Sequence, residues 1–349
     1  MPASRAYLDW NATAPLRAEA RTAMAEAMEV CGNPSSVHAE GRAARALIER
    51  ARARLATALG ADGCDIVFTA GATEAAALAL AGRDLAAAEI EHDCVLAWTR
   101  PVLPVDGAGR VSVAEPSASA LQAANSETGV LQDLPPGLGF IDAAQAFGKI
   151  PFAFSWTCAA AAAVSAHKIG GPAGVGALIL RPGHDVEAIL RGGGQESGRR
   201  AGTENMVGIA GFAAAAEAAM ADLERGVWDE VAELRNILEM ALEAGPSPII
   251  LVGKGTRRLP NTCAVAVPGW KGETQVMQMD LAGFAVSAGS ACSSGKVRAS
   301  RVLAAMGHDA VTAASAIRIS IGPGTRREDV LAFAEAWTRQ LRRRVARAA

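Results

Sequence analysis

"DIVFTAGATEAAALALAG", residues 65–82, runs from an apolar stretch into an Ala-rich one across a single glycine. Ile66, Val67 and Phe68 favour a pleated, buried strand, whereas Ala, Leu and Glu after Gly71 are strong helix formers. The segment therefore reads as strand, tight turn, helix. The same change recurs in "GFIDAAQA" (139–146) and "GVGALILRPG" (174–183), short apolar runs bounded by glycine. Strands alternating with helices predict an α/β fold with a mainly parallel sheet. The turn at Gly71, Ala72 and Thr73 also points free backbone N–H groups at whatever lies beyond the strand end, a geometry suited to phosphate. Alone it is a weak sign, because many strand-to-helix turns look alike.

Past the centre of the chain the pattern changes. Residues 204–245, "ENMVGIAGFAAAAEAAMADLERGVWDEVAELRNILEMALEAG", read as one long helix that becomes more charged near residue 222, a place for a domain crossing. "TCAVAVPG" (262–269), "FAVSAG" (284–289) and "AIRISIG" (316–322) follow as strands. "TRREDVLAFAEAWTRQL" (325–341) follows as a helix, opened by a capping box from Thr325 to Glu328. The expected organisation is a large mainly parallel domain over 13–225 and a smaller α+β domain built from 1–12 and 226–349.

Composition limits the function classes. The chain has 349 residues, 50% hydrophobic content and a formal charge of −2, enough apolar material for two cores. The only basic run is the terminal "RQLRRRVARAA", read as a solvated helix end, so nucleic acid has no electrostatic footing. No apolar run reaches membrane-spanning length without Gly, Pro or charge, and "MPASRAYLDW" carries no signal-peptide core. A cytoplasmic protein without a membrane partner is expected. The six cysteines (31, 64, 94, 158, 263, 292) are scattered without a CxxC pair, giving neither a metal site nor a disulfide framework. In "VSAGSACSSGK" (286–296), Cys292 stands among small residues that offer little to pack against, so a reactive role outweighs a core one. Cys94 and Cys263, in apolar surroundings, read as packing residues.

"SAHKIGGPAGVGAL" (165–178) places Lys168 between a histidine and a glycine-rich turn. A lysine among small apolar residues either snorkels to solvent or is held for chemistry, and composition leaves both open. Asp142, at the end of an apolar strand, needs a cation or a solvated mouth, or else caps a helix. Taken together, Asp142, Gln145, His167 and Lys168 with a phosphate turn upstream form the set a pyridoxal phosphate enzyme requires: a Schiff-base lysine, an acid for the ring nitrogen and N–H groups for the phosphate.

At this point the sequence resembles a known family. "YLDWNATAPL", "GNPSSVHAEGRAARALIERAR", "VFTAGATEA", "EHDCVL", "NSETGVLQD", "IDAAQAFGKIP", "SAHKIGGPAGVGAL", "GGGQESGRRAGTEN", "VSAGSACSSGK" and "AIRISIG" stand in the order of the NifS/IscS-type cysteine desulfurases. These are class V aminotransferase-family enzymes of pyridoxal phosphate fold type I. The resemblance implies pyridoxal 5'-phosphate as cofactor, L-cysteine as substrate, a homodimer, and a sulfur acceptor or iron–sulfur scaffold protein as partner. It makes Lys168 the cofactor lysine, Asp142 the partner of the ring nitrogen and Gln145 the donor to the phenolic oxygen. Ala72, Thr73, Ser165 and His167 match phosphate-holding positions, and Thr203 a phosphate contact lent by the neighbouring subunit. His92 matches the proton-shuttling histidine stacked on the ring, Asn125 and Arg318 the substrate-holding pair, and Cys292 the persulfide-forming nucleophile. Between His92 and Asp142 the chain is shorter than the family pattern, too short after "NSETG" for the usual helix. A related enzyme, either a selenocysteine lyase or a transaminase, and a non-catalytic assembly partner that kept the fold are the alternatives; Cys292 speaks against a transaminase.

Overall fold

The structure is a computed structural model and describes residues 5–246, 248–289 and 299–348. Its main sheet runs in the order Asp65–Thr69, Gly176–Leu180, Ala161–Ser165, Phe140–Asp142, Ala120–Gln122. A parallel bridge from Ser119 to Ala86 continues it into the parallel pair Ala86–Ala88 and Arg100–Leu103. Only Gly176–Leu180 runs against its neighbours. The sheet is mainly parallel, and the reason is readable in the strands: "AAAVS" and "GALIL" are buried at every position, as strands covered on both faces must be.

Alternate residues of these strands enter two cores. Ile66, Phe68, Ile141, Ala162, Val164 and Ile179 pack with Ile48, Leu55 and Phe212, from the helices Ala39–Ala58 and Met206–Glu224. Val67, Phe140, Ala161, Ala163 and Leu178 pack on the opposite face with Ala75, Leu78 and Ala79 of the helix Ala72–Leu80. Met206–Glu224 is long and apolar enough to cross a membrane by length and composition. Here it is a core helix, packed against Ala18–Met28 and Ala39–Ala58.

The 204–245 segment is two helices, not one. Met206–Glu224 stops and Val227–Glu243 starts across Gly226, whose φ of +72° is left-handed and interrupts the helical ladder. The second unit is an antiparallel sheet in the order Ser287–Ala288, Ala316–Ser320, Thr262–Ala266, Ile250–Leu251. One face is covered by Trp228, Leu238, Phe333 and Trp337. The other packs Ala264, Ala266 and Ala316 with Ala88 and Ile90 beside the main sheet. The expected capping box at Thr325 is absent. The last helix begins at Arg327, one residue too late for Thr325 to cap it, and the Thr325 hydroxyl instead accepts from Gly322 N–H.

The amino-terminal segment crosses between the units. Ala6–Tyr7 pairs with Phe284–Ala285 and Asp9 bridges Ser320. Asn11 then reaches the end of the main sheet, donating from Nδ2 to Ser126 O. Between residues 129 and 139 the chain forms no helix, which is the shortening expected after "NSETG".

Candidate active site

Lys168 ends a short 3₁₀ turn, Ala166–Lys168, directly after the strand Ala161–Ser165. Its Nζ donates to the backbone carbonyls of Asn11 (2.7 Å) and Ala12 (3.0 Å). It is thus held and does not snorkel. Burial, then the Arg318 guanidinium, lower its pKa to about 8, while Asp142 and Asp9 pull the other way. The amine lies in a cavity of ≈ 840 Å³, inside the range of small-molecule sites.

At one end of this cavity the helix Ala72–Leu80 begins at Gly71. A side chain at Gly176 would come within 2.6 Å of Gly71 Cα, so Gly176 lets the helix start abut the sheet. The first-turn N–H groups at Ala72 and Thr73 have no partner within the helix and line the cavity. Ser165 and His167 line the same end. His167 Nδ1 lies 3.1 Å from the Thr13 hydroxyl, and burial with Lys168 and Lys149 nearby lowers its pKa to about 4. The ring is neutral at physiological pH.

Asp142 ends the strand Phe140–Asp142, and its Oδ1 accepts from Ala144 N–H (2.9 Å). The other carboxylate oxygen is available to a ring N–H. Gln145 is buried beside it. Its Nε2 donates to Asn11 O and its Oε1 accepts from Lys149 Nζ.

His92 caps the short helix Asp93–Leu96: its Nδ1 accepts from Cys94 N–H (3.2 Å) and lies 3.0 Å from Cys94 Sγ. With Nδ1 accepting, the neutral ring carries its proton on Nε2. Cys94 packs against the core of Ala75, Leu78 and Ala79, as expected, and it also lines the cavity. Burial and Asp142 push its thiol up to about 12, so it stays protonated. Cys263 is fully buried, as expected.

Across from Lys168, Arg318 projects from the buried strand Ala316–Ser320. It donates to Asp9 Oδ1 (2.7 Å) and Ser126 O (3.0 Å), and its Nε has no partner among the described residues. Asn125 does not join it. The Asn125 amide is consumed locally, Nδ2 donating to Ile90 O while Oδ1 accepts from Glu127 N–H, Thr128 N–H and the Thr128 hydroxyl. Its neighbours Ser126 and Glu127 line the cavity instead. Glu127 accepts from the Ser300 hydroxyl (2.5 Å), and burial raises its pKa to about 7 against the pull of Ser300 and Arg318. Thr203 is exposed and does not line this cavity, and Cys292 lies outside the described residues.

Asp9, Asn11, Glu127 and Lys149 are part of the site although none was singled out in sequence. They stand inside "YLDWN", "NSETG" and "FGK", but what marks them is contact with residues far along the chain.

The donor set fits pyridoxal phosphate. An amine seated on two carbonyls has no carboxylate within ion-pair distance among the described residues, a helix start lies on one side, and a strand-end carboxylate faces the ring position. The comparisons agree. The Aminotransferase class-V family matches residues 6–100 and 114–333, omitting only part of the shortened region between them. A cysteine desulfurase of Cereibacter sphaeroides is 39% identical, with 93% of each chain covered. The cysteine desulfurase IscS of Dictyoglomus turgidum is 35% identical, covering 93% of this chain and 91% of that one. The X-ray structure of a NifS-like protein from Rickettsia africae superposes with a TM-score of 0.88 at 30% identity, covering 97% and 99%. The chain belongs to the class V aminotransferase family, and within it to the NifS/IscS-type cysteine desulfurases, pyridoxal phosphate enzymes of fold type I.

Proposed function

We propose that this cavity converts L-cysteine to L-alanine and passes the sulfur to Cys292 as a persulfide. The observation that carries the reading is the seat of Lys168: a partly buried amine on two carbonyls, with a pKa near 8 and Arg318 on the far side. Bound pyridoxal phosphate supplies an electron-withdrawing ring that lets the substrate's carbon skeleton carry negative charge. Lys168 Nζ would hold the cofactor, and its lowered basicity suits moving a proton near neutral pH. Asp142 accepts from the ring nitrogen and Gln145 donates to the ring oxygen. Backbone N–H groups at Ala72 and Thr73, with Ser165 and His167, hold the phosphate. His92 exchanges a proton at Nε2, because Nδ1 is occupied by the Cys94 N–H. Arg318 holds the substrate carboxylate through its unpartnered Nε and the edge it shares with Asp9.

Cys292 as thiolate attacks the substrate sulfur. The new S–S bond forms as the substrate's C–S bond breaks, the electron pair left on carbon takes a proton, and alanine leaves. Support for a homodimer comes from Thr203, which is exposed and does not line its own cavity. A sulfur-acceptor protein follows from the need to discharge the persulfide, and a reducing cytoplasmic setting fits the exposed, unpaired Cys31 and Cys158. The division between domains falls in this reading at the helix break by Gly226.

The test is direct. Purified protein given L-cysteine should release alanine, and brief exposure followed by peptide mass analysis should find one added sulfur on Cys292 that a reductant removes. In Cys292→Ser the cofactor should still bind and its absorption still respond to L-cysteine, with alanine release reduced by orders of magnitude. Sulfur on Cys94 or Cys263, or full alanine production by Cys292→Ser, refutes the assignment.

A further inference from the structure

Lys149 is among the largest fully buried side chains of the protein, 2% exposed. Among the described residues it has no carboxylate within ion-pair distance. Its Nζ donates to Gln145 Oε1 (2.5 Å) and Asn11 Oδ1 (3.0 Å). A buried ammonium without a counter-ion is among the costliest groups a fold can hold, and it presents three donors. Two acceptors match an uncharged amine, whose two N–H groups are then both used. The charged groups that bear on it, Lys168 and Arg318, are both cations and act with burial to lower its proton affinity.

We propose that Lys149 is a positioning residue, an uncharged two-donor clamp that fixes the amides of Gln145 and Asn11 and thereby keeps Gln145 Nε2 as the donor that would meet the cofactor. With one N–H on Asn11 Oδ1, the amine's second N–H takes Gln145 Oε1 as its acceptor. Nε2 is left as the donor, with one hydrogen on Asn11 O and the other free for the ring oxygen. Asn11 is fixed at its side-chain oxygen, which Asn261 Nδ2 also contacts (3.0 Å), while its backbone carbonyl receives both Lys168 Nζ and Gln145 Nε2. Without the clamp only the bond from Nε2 to Asn11 O holds the Gln145 amide with its donor toward the ring oxygen. The inference rests on the reading of Gln145 given above.

Pyridoxal phosphate affinity of the apo protein, measured by absorbance titration, tests it with four proteins: wild type, Lys149→Met, Gln145→Met and the double variant. Each single variant should weaken binding about tenfold, the scale of one buried hydrogen bond to the ligand. The double variant should lose no more than about twofold beyond Gln145→Met, because Lys149 acts through Gln145. Wild-type affinity in Lys149→Met alongside a loss in Gln145→Met overturns the clamp alone. Wild-type affinity in Gln145→Met overturns the role of Gln145 and the clamp with it. Losses that multiply in the double variant overturn the action through Gln145. Should Lys149→Met not fold, ¹⁵N-lysine spectra of the wild-type apo protein decide. With only five lysines in the chain, the resonance coupled to the Gln145 amide should be that of a neutral amine at pH 7, and an ammonium signal there overturns the proposal.

Discussion

Replacing Lys168 by methionine should make the apo protein more stable while ending turnover. The structure lowers the amine's pKa from 10.5 to about 8, chiefly by burial, and each unit is about 1.36 kcal/mol. Below pH 8 the amine is charged in both folded and unfolded chains, and the folded state bears the full penalty, about 3 kcal/mol. Between pH 8 and 10.5 the unfolded chain binds more protons, so stability rises with pH; above 10.5 both forms are neutral and the penalty is gone. Methionine has similar length and no charge. It leaves Asn11 O and Ala12 O without their Nζ donor, which returns about 0.5 kcal/mol each where cavity water substitutes. The net gain should be about 2 kcal/mol at pH 7, shrinking toward zero by pH 10.

The assay is urea unfolding of apo wild type and Lys168→Met at pH 7 and pH 10, at one protein concentration so that any association cancels. A shared m-value with a higher midpoint for the variant at pH 7 is the expected result. Equal midpoints at pH 7, or a difference that does not shrink with pH, would mean that the amine is not held at a cost, and the reasoning from its seat would fail.

Arg318→Ala should raise the KM for L-cysteine at least about tenfold while leaving the cofactor's absorption in place, since the guanidinium, held by Asp9 and Ser126 O, is assigned to the substrate carboxylate and not to the cofactor; parallel loss of colour would make Arg318 structural. Glu127→Gln should be more stable than wild type at pH 8 and not at pH 4. Burial raises the Glu127 pKa from 4.5 to about 7, so the wild type loses stability as pH climbs through that window, a difference that thermal unfolding at the two pH values reads. Thr203→Ala should weaken cofactor retention, and dimers mixed with Lys168→Ala should show that the loss falls on the neighbouring subunit; an active monomer by sedimentation refutes it.

The strands of the main sheet were legible because burial on both faces writes an unbroken apolar run into the sequence, as in "AAAVS" and "GALIL". The turn at Gly71 and the lysine after Ser165 were legible because each is a local motif. Other features were not. The break at Gly226 is a weak signal, because Gly208 and Gly211 of the same stretch lie inside a helix and the residues around all three are strong helix formers. Thr325 and Glu328 have the spacing of a capping box, but spacing alone does not say where the first turn starts. Asn125 has the right residue type at a motif position, and only the fold shows its amide consumed by its own turn at Oδ1 and by Ile90 O at Nδ2. The pairing of Asp9 with Arg318 spans 309 positions, and that of Asn11 with Lys149 spans 138; no local pattern encodes such contacts.

These distant pairings explain why a cavity between two units can keep a fixed geometry. Asn11 N–H donates to the Ser320 hydroxyl and Asn11 Nδ2 to the Thr262 hydroxyl, both on the smaller sheet. The same residue's carbonyl seats Lys168, at the end of the larger one. Two positions earlier, Asp9 holds Arg318 on the smaller sheet, and Ser287 holds Asp9 (2.8 Å). The reactive amine and the carboxylate clamp therefore hang on one short segment, three residues from end to end. A shift of the smaller sheet that left Asn11 behind would break three buried hydrogen bonds, one at its N–H and two at its side-chain amide, the latter to the Thr262 hydroxyl and from Asn261 Nδ2. Moving Asn11 with the sheet would instead carry the carbonyl out from under Lys168. Either route costs several hydrogen bonds at once, so the distance between amine and clamp is set by this segment and not by the looser packing of alanines between the two units.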